Sequence, residues 1–484
     1  MLIGKGEKSA MNTIYQMIQH MNHDYGERIA FQYCEEKKVC AVKYSDFVKD
    51  IKKCAGFLMK IFPDIEGKHI GICAGSCYQY MVHFMAILLV KGVVVPLNPS
   101  ETTDVLQYEI DFSDIIGIFL DEDSMGLGLN MKHIRKMTFH EYQSFQKEYA
   151  VDDGASKDRI GLLVFTSGTT GKNKGVMLSQ SNIFTAIETY TGQLKILERN
   201  MKGDVLRAFV IVPMYHVSGI FLVLPGIMKG ITLNICEDPK YLYRELKLMK
   251  SDCISVVPTI LKSFYRDLIR NKKERLGDIG SICCSGAIVE SDMLNEFRKN
   301  GITIIQAYAL TESCGNGTVN TYEDERKLKS VGTPGAGCEI KIENDEILLK
   351  GSAIMLGYYK NEKETNKVLQ DGWLHTGDLG YLDEDGYLYL TGRKKNLIIL
   401  SGGENVSPEE LEGEILRCEK VYEVLVREEN DKICASIYCE SVNEEEIKEY
   451  ISNINRTLPY YKRITKVKFA GEPLEKTATG KIKR

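Results

Sequence analysis

The chain has 484 residues, a length that suits about three domain-sized units with large buried cores. Its 62 basic and 67 acidic side chains give a slightly acidic balance, which argues against a nucleic-acid-binding protein. The 14 cysteines include no Cys-x-x-Cys pair and no zinc-ligand spacing, so they indicate free thiols in a reducing cytoplasm.

The N-terminal part of the chain shows no membrane signal. Residues 1–8 lack the apolar core of a secretory signal. The most apolar run, residues 81–95, is interrupted by Lys91 and Gly92 and is too short to span a bilayer. We interpret it as a core helix followed by a buried strand, and we expect no transmembrane segment.

Residues 12–154 alternate between strand-like and helical segments. The runs 70–74 and 93–97 are apolar and short, as buried strands are, and a helix begins near Tyr44. Strands interleaved with long helices predict a layered α/β domain.

A glycine-rich loop follows the apolar run 160–165 and is the strongest motif of the chain. Residues 165–175 read Phe-Thr-Ser-Gly-Thr-Thr-Gly-Lys-Asn-Lys-Gly. Glycines let successive backbone N–H groups face an anion, hydroxyls add donors, and lysine adds a positive charge. Flexible linkers have a similar composition, but they rarely lie between a strand and a capped helix such as the one beginning at Ser179. The composition and position favour a phosphate-binding loop.

This loop is not a Walker A motif, because Gly168 is too close to Gly171-Lys172 and Asn173 stands where Ser or Thr would bind Mg²⁺. It resembles the phosphate loop of the adenylate-forming superfamily, which includes acyl-CoA synthetases, aryl-CoA ligases, peptide-synthetase adenylation domains and beetle luciferases. The resemblance extends from residue 11 to the last residues. It implies that ATP is bound by the loop residues Thr166, Ser167, Gly168, Thr169, Thr170 and Lys174.

The resemblance also implies a fold and a domain division. The fold is α/β, with a large layered N-terminal domain of α/β subdomains at residues 1–393 and a small mobile α+β domain at residues 394–484. The hinge lies at residues 394–396, and Lys395 is the residue whose backbone rotates. Without the resemblance, a lysine pair here indicates a solvated link.

His216 lies at the end of the predicted strand 207–212. A lone histidine in this position is commonly structural, whereas the resemblance makes it an aromatic gate beside the acyl pocket. Relatives that activate amino acids carry an aspartate in this region. No acidic residue occurs between Pro213 and Lys229, so an α-amino acid substrate is disfavoured.

The strand-like run 281–285 leads into a turn of small residues. Small residues allow a flat ring to approach the backbone closely, although tight packing also favours them. The resemblance assigns three residues here to the adenine and acyl wall: Ser285, Gly286 and Ala287.

The run 304–313 is the second strong motif, because a buried strand ends in an aromatic ring, a hydroxyl and a carboxylate. It resembles the family's Tyr-Gly-x-Thr-Glu motif, which implies that Tyr308 stacks on adenine, Thr311 bonds phosphate and Glu312 binds Mg²⁺. Ala309 replaces the family's glycine, and its methyl group either narrows the acyl tunnel or fills a gap. The resemblance also places two preceding residues in the nucleotide site: Gln306 and Ala307.

The remaining motifs lie towards the C-terminus. Asp378 lies in a glycine-rich turn that a simple hairpin turn would also explain. The resemblance makes Asp378 the acceptor for the ribose hydroxyls and Arg393 a second ribose or phosphate contact. A basic tail is usually solvent-exposed, but the terminal Gly-Lys motif implies that Lys481 is the catalytic lysine. Glu475 stands where relatives usually have proline. The family's path for the pantetheine of CoA corresponds to Gly402 and Gly403.

The resemblance implies an ATP-dependent acid:CoA ligase with ATP, Mg²⁺ and CoA as cofactors. A carboxylate attacks the α-phosphorus of ATP, pyrophosphate leaves, and the CoA thiol then displaces AMP from the acyl-adenylate. The acid, fatty or aryl, stays open. A carrier-protein phosphopantetheine is an alternative acceptor, and an inactive nucleotide-sensing relative is the alternative from another class. Luciferase-like oxidation is disfavoured, since nothing in the sequence is specific to oxygen.

Replacing Lys481 by alanine tests the implied division of labour. Because the ammonium group would bridge the substrate carboxylate and the α-phosphate, Lys481→Ala should nearly abolish adenylation, measured as acid-dependent pyrophosphate release. Thioester formation from preformed acyl-AMP and CoA should be preserved. Equal loss of both half-reactions would contradict the assignment.

Overall fold

A computed structural model describes residues 11–149, 158–166, 172–199, 201–285, 289, 291–401, 404–430, 432–476 and 482–484. The described residues form two compact units. The first falls within Met1–Glu339 and Leu349–Leu374, and the second within Ile340–Leu348 and His375–Arg484. A short segment ahead of the main division therefore belongs to the smaller unit.

Helices occur in both units. Along the described residues they are α1 (Ile14–Tyr25), α2 (Tyr44–Ile61), α3 (Tyr78–Leu89), α4 (Thr103–Phe112), α5 (Glu122–Met125), α6 (Gln180–Glu198), α7 (Val217–Met228), α8 (Leu242–Leu248), α9 (Pro258–Ile269), α10 (Ser291–Lys299), α11 (Glu362–Val368), α12 (Pro408–Leu416) and α13 (Glu444–Thr457).

Strands alternate with these helices. In the same part of the chain they are β1 (Ile29–Glu35), β2 (Lys38–Lys43), β3 (His69–Cys73), β4 (Val93–Leu97), β5 (Ile115–Leu120), β6 (Arg135–Thr138), β7 (Ile160–Thr166), β8 (Lys174–Ser179), β9 (Arg207–Val210), β10 (Thr232–Ile235), β11 (Cys253–Val256), β12 (Ser281–Ser285), β13 (Thr303–Ala309), β14 (Gly317–Asn320), β15 (Thr333–Pro334), β16 (Cys338–Glu343), β17 (Glu346–Gly351), β18 (Gly357–Tyr358), β19 (Leu369–Gln370), β20 (Trp373–Leu382), β21 (Leu388–Arg393), β22 (Ile398–Ile399), β23 (Asn405–Val406), β24 (Val421–Glu428), β25 (Ile433–Cys439) and β26 (Ile464–Ala470).

Two large sheets dominate the first unit. One has the order β15-β14-β13-β12-β11-β9-β10-β1-β2, and its strands from β13 to β1 run parallel. The other has the order β18-β8-β7-β4-β3-β5-β6, with β8 and β18 added antiparallel at one edge. The carboxyl ends of the parallel strands all lie at the same end of the sheet, and α/β proteins bind ligands beside these strand ends.

The apolar run 81–95 is part of the core of the first unit. Helix α3 is almost entirely buried, and strand β4, which follows it, is buried at every residue. The predicted core helix and buried strand are therefore confirmed. None of the described helices combines the length and the apolarity that crossing a bilayer requires.

The second unit contains a three-stranded sheet of β24, β25 and β26, packed with α12 and α13. The alternating apolar residues of 433–439 predict a strand and the apolar stripe over 447–454 predicts a helix, and β25 and α13 confirm both. Helix α12 begins with Pro408 in its first turn, and the Ser407 hydroxyl accepts a hydrogen bond from Glu410 N–H at 3.4 Å.

The predicted α/β class, with a large and a small unit, is confirmed. The predicted boundary between residues 393 and 394 stays a prediction. By compactness, residues 375–393 group with the second unit, together with the segment 340–348. Strand pairing explains this grouping, because β17 lies beside β20 and β20 pairs with β21.

An ion pair between half-buried Arg207 and buried Asp252 links the starts of the neighbouring strands β9 and β11. The carboxylate of Asp252 accepts hydrogen bonds from Nη2 and Nε of Arg207, at 2.7 and 3.0 Å. It also accepts the backbone N–H groups of Arg207 and Lys202, at 2.9 and 3.2 Å. Burial alone would raise the pKa of Asp252, but these bonds outweigh burial and lower it.

Removing this carboxylate should destabilise the first unit. Asp252→Ala leaves a half-buried guanidinium and two backbone N–H groups without their acceptor, so we expect a loss of about 3 kcal/mol in the free energy of unfolding. Urea unfolding followed by circular dichroism measures it. Glu27→Ala is the control, because the Glu27–Lys43 pair is exposed and should contribute little. Equal effects of the two changes would contradict the prediction.

Candidate active site

The glycine-rich loop connects two paired strands. Strands β7 and β8 are antiparallel, and Thr166 lies opposite Lys174 in their register. The sequence predicts a helix directly after the loop, whereas the structure has strand β8 between the loop and helix α6. The predicted helix start is confirmed, since Ser179 and Asn182 form a capping box. Four predicted phosphate contacts lie outside the described residues: Ser167, Gly168, Thr169 and Thr170.

Lys174 is held by a carboxylate of helix α11. Its Nζ lies 2.8 Å from Oε2 of Glu364 and 4.8 Å from the centre of the Tyr358 ring. Hydrogen bonds from Lys174 and Lys367 lower the pKa of Glu364 to about 2, so this carboxylate is ionised at neutral pH. Lys174 therefore has a defined position and a counter-charge.

Residues 172–174, the outgoing arm of the loop, also contact helix α4. Nδ2 of Asn173 donates to Oε1 of Glu109 at 2.7 Å, and the Tyr108 hydroxyl donates to the Asn173 carbonyl at 3.3 Å. Glu109 is only 3% exposed. Burial raises the pKa of Glu109 to about 7, although the Asn173 hydrogen bond opposes the shift.

Glu312 follows strand β13 in a single 3-10 turn, Thr311–Ser313. Its Oε1 accepts a hydrogen bond from the Tyr358 hydroxyl at 2.9 Å, and its backbone carbonyl accepts from Met355 N–H at 2.9 Å. Burial, and then the nearby Glu312 carboxylate, raise the pKa of Tyr358, so the phenol keeps its proton. Tyr358 is thus a common neighbour of Glu312 and Lys174.

Tyr308 lies near the end of β13 and is 8% exposed. The register with β14 pairs it with Thr318, and it pairs Ala309 with Gly317. A Cβ atom at Gly317 would lie 2.1 Å from the Tyr308 carbonyl oxygen, so only glycine fits there. The close approach of β14 supports the strand end that carries the Tyr-x-x-Thr-Glu residues.

Gln306 and Ala307 precede this end. Ala307 lies opposite Ser285 of β12, which is exposed at the strand terminus. The side-chain oxygen of Gln306 accepts hydrogen bonds from Val289 N–H, at 3.2 Å, and from the Tyr322 hydroxyl. That oxygen therefore stabilises the protein interior. Two members of the predicted adenine wall lie outside the described residues: Gly286 and Ala287.

His216 is the residue that caps the N-terminus of α7, and its side chain is half-buried. Its ring centre lies 5.0 Å from that of Tyr215. The turn that delivers it is tight, because a Cβ atom at Gly219 would lie 2.1 Å from the Pro213 carbonyl oxygen. This turn follows β9, a parallel strand of the sheet that also carries β12 and β13.

Asp378 and Arg393 face each other in the second unit, across the β20–β21 hairpin. Oδ1 of Asp378 lies 2.5 Å from Nε of Arg393, and Asp378 is 6% exposed. The two residues that the resemblance assigns to the nucleotide are therefore a cross-strand ion pair.

A second carboxylate of the same unit is surrounded by donors. Glu346 accepts from Gly377 N–H at 2.9 Å and from Lys394 Nζ at 3.0 Å, and His375 Nδ1 lies 3.4 Å away. Burial works against ionisation, but these donors lower the pKa of Glu346. Lys394 belongs to the predicted hinge, and Lys395 beside it has an exposed side chain.

Two short described segments near the C-terminus contact each other. Lys476 and Ile482 form an antiparallel bridge, and Lys483 N–H donates to the Glu475 carbonyl at 2.8 Å. Three predicted functional residues lie outside the described residues: Gly402, Gly403 and Lys481.

The residues present suit a magnesium ion that arrives with ATP. Mg²⁺ is usually held by one or two carboxylates together with substrate phosphates and water. Glu312 offers such a carboxylate, and Oε1 of this residue is already oriented by Tyr358. Within the described ranges, no group of three or more His, Cys, Asp or Glu side chains could hold a metal ion by itself.

Sequence reasoning missed four residues that organise these groups. Glu346 and Tyr358 lie in the run 346–359, which also matches the family and which we interpret from the sequence only as scaffold, whereas Glu109 and Glu364 carry no motif. Their partners are 46, 64 and 190 residues away for Tyr358, Glu109 and Glu364. The one available signal was a carboxylate on the buried face of α4, at Glu109.

Known proteins resemble this chain over most of its length. The family profile described as AMP-binding enzyme matches residues 18–359. A 2-succinylbenzoate–CoA ligase of Bacillus cereus (strain Q1) is 30% identical over 371 residues, covering 72% of this chain and 73% of that protein. A 2-succinylbenzoate–CoA ligase of Oceanobacillus iheyensis is 27% identical over 439 residues, covering 87% and 88%.

Solved structures give the same picture. O-succinylbenzoate coenzyme A synthetase from Bacillus subtilis, in complex with ATP and magnesium ion, has a TM-score of 0.83 and 26% identity, covering 96% of this chain and 98% of that one. The same enzyme in complex with its acyl-adenylate intermediate has a TM-score of 0.82, with 26% identity and 96% coverage of both chains.

Glu109 should make stability depend on pH. The native state binds the proton of this carboxyl more tightly than the unfolded chain, so native stability should fall as pH rises from 4.5 to about 7. Glu109→Gln cannot ionise and keeps an acceptor for Asn173. Relative to wild type, this variant should gain up to about 3 kcal/mol across that window and nothing further above it.

Urea unfolding of both proteins at several pH values measures the difference in the free energy of unfolding. Glu148→Gln, at an exposed loop position, is the control and should give a much flatter difference. A pH-independent difference for Glu109→Gln would show that the native carboxyl titrates as it does in the unfolded chain.

Proposed function

Because this chain belongs to the AMP-binding enzyme family, we propose that it activates an aromatic acid of the 2-succinylbenzoate type and transfers it to CoA. The broader activity is established: the chain is an AMP-forming acid:CoA ligase that uses ATP, Mg²⁺ and CoA. The observation that carries the finer proposal is the activity shared in the names of its similar relatives.

The first half-reaction brings two anions together, so its barrier is chiefly one of positioning and charge neutralisation. We assign the β- and γ-phosphates to the loop 166–174, whose backbone and hydroxyl donors suit them, and Thr311 to a further phosphate contact. Mg²⁺, bound by Glu312 and the phosphates, would neutralise charge as pyrophosphate leaves. The support for Glu312 is its hydrogen bond with the Tyr358 hydroxyl, because the ring of the same tyrosine also lies 4.8 Å from Nζ of Lys174.

Three residues are assigned to the nucleoside and its neighbouring phosphate. Tyr308 would stack on adenine, Asp378 would accept the ribose hydroxyls, and Arg393 would contact ribose or phosphate. The support is chemical: a carboxylate paired with a guanidinium is held in one orientation, and it retains lone pairs for hydroxyl donors. Lys481 would bridge the substrate carboxylate and the α-phosphate.

The acyl group is assigned to the strand ends around His216, Ser285 and Ala309. The first unit offers no acidic residue in the segment after His216, which suits a carboxylate substrate better than an ammonium group. A 2-succinylbenzoate substrate has two carboxyl groups. One is activated and the other stays anionic, so the pocket must supply a donor for it, and His216 is the candidate on this strand edge.

The second half-reaction needs the thiol of CoA to reach the acyl-adenylate. We propose the hinge at residues 394–396, with Lys395 as its pivot, and a pantetheine path along Gly402 and Gly403. After pyrophosphate has left, rotation at this hinge would move Lys481 away from the acyl-adenylate and bring the pantetheine path to it.

An acid panel tests the finer proposal. Pyrophosphate release and CoA-thioester formation are measured with 2-succinylbenzoate, benzoate, octanoate and palmitate. We expect 2-succinylbenzoate to exceed each other acid by at least about 100-fold in kcat/KM, because a pocket built to bond a polar group rejects analogues that lack it. Glu312→Gln is the control for active-site chemistry and should lower the rate with every acid.

The outcomes separate the alternatives. Preference for a fatty acid would overturn the substrate class and leave the ligase activity intact. Pyrophosphate release without transfer to free CoA, but with transfer to a phosphopantetheinyl carrier protein, would indicate a carrier-loading enzyme. ATP binding without acid-dependent pyrophosphate release would indicate a nucleotide sensor.

A further inference from the structure

The outgoing arm of the glycine-rich loop, residues 172–174, is hydrogen-bonded to helix α4 through Asn173. Both the side chain and the backbone carbonyl of Asn173 are bonded, to the adjacent residues Glu109 and Tyr108. Nζ of Lys172 lies 5.3 Å from the centre of the Tyr108 ring. Three successive contacts therefore join two segments that lie 64 residues apart in the chain.

Packing alone does not explain a carboxyl group at position 109. Its neighbours on the buried face of α4, Leu106 and Ile110, are apolar and belong to a core with Val95 and Leu163. A carboxyl group in such surroundings is unfavourable unless it is hydrogen-bonded, and the Asn173 amide is the side-chain partner that satisfies Glu109. The buried carboxyl group of Glu109 therefore depends on the loop residue Asn173 for this hydrogen bond.

The helix is a firm anchor for this contact. The Thr102 hydroxyl caps its N-terminus by accepting Val105 N–H at 3.4 Å, and its buried face packs on the sheet. At the residue after Asn173, Glu364 of helix α11 holds Lys174, the first residue of β8. Two different helices, α4 and α11, thus hold the arm where it enters β8. A loop whose flanking residues are already held in place loses less conformational entropy when it binds an anion.

We propose that Glu109 is a positioning residue for the nucleotide step, because its buried carboxyl holds Asn173 and thereby sets the loop that receives the ATP phosphates. The inference rests on the proposed role of this loop as the phosphate site. Glu109 itself does not touch the nucleotide. Its effect passes through Asn173, so breaking the contact from either side should have the same consequence.

Isothermal titration calorimetry of MgATP binding, without the acid substrate, tests the contact by changing either of its two partners. Glu109→Leu keeps the volume and removes the acceptor, and Asn173→Ala removes the donor. Each should raise the Kd for ATP about tenfold, and the double variant should be no worse than either single variant. Glu109→Gln, which retains a side-chain oxygen, should stay within about twofold of wild type.

A buried carboxylate elsewhere supplies the matched control. Glu245 is 4% exposed on helix α8 and pairs with Arg244 at 2.7 Å, away from the loop arm. Glu245→Leu should lower the thermal midpoint and leave the Kd for ATP unchanged. In steady state, Glu109→Leu should raise the KM for ATP while the KM for the acid changes less than about twofold.

The result that overturns the proposal is ATP binding of wild-type affinity by Glu109→Leu or Asn173→Ala, or additive losses in the double variant. Asn173→Ala keeps the test decisive if Glu109→Leu does not fold. Failure of the proposed function is seen separately: wild-type protein that binds ATP but releases no pyrophosphate with any acid refutes the assigned reaction, while the binding series still decides the contact.

Discussion

The antiparallel pairing of β7 with β8 is the constraint on which the rest of the site depends. It closes the glycine-rich loop at its base, with Thr166 opposite Lys174, and it turns the chain back along the sheet edge. Because side-chain direction on a strand is fixed by the pleat, Lys174 is delivered to Glu364 and to the Tyr358 ring. Tyr358 then orients Glu312 at the end of a strand in the other sheet.

Counter-ions accompany three cations that the described residues place at or near the assigned positions. In the described part of the chain, Lys174 has Glu364, Arg393 has Asp378, and Lys394 has Glu346. A paired cation is held in place and is less attractive to stray anions than a bare one. Under the proposed function, a phosphate that approaches Lys174 would compete with the Glu364 carboxylate, which would favour a ligand that makes many contacts at once. The Lys174–Glu364 pair would then contribute to selectivity as well as to position.

Local patterns could be predicted from the sequence, whereas long-range partners could not. The glycine-rich loop, the Tyr-x-x-Thr-Glu strand end and the Ser179 cap are written in consecutive residues, and the fold class follows from alternating strands and helices. Strand β8 was missed because its six residues lie between two stronger signals. The partner of Asn173 was also missed, because a single glutamate in a helix has no signature of its contact. The grouping of residues 375–393 depends on pairing with strand β17, which no local pattern reveals.

The donors around Glu346 bear on how this protein can be recombined with its relatives. Glu346 precedes the main body of the second unit, yet Gly377 and Lys394 satisfy its carboxylate. A hybrid that exchanges only the sequence after residue 374 would join a parental glutamate to foreign donors. Segment 340–348 should be exchanged together with residues 375–484, so that Glu346 and its hydrogen-bond donors come from the same parent protein. Crossover points chosen from the linear order alone would divide a single electrostatic unit between two parents.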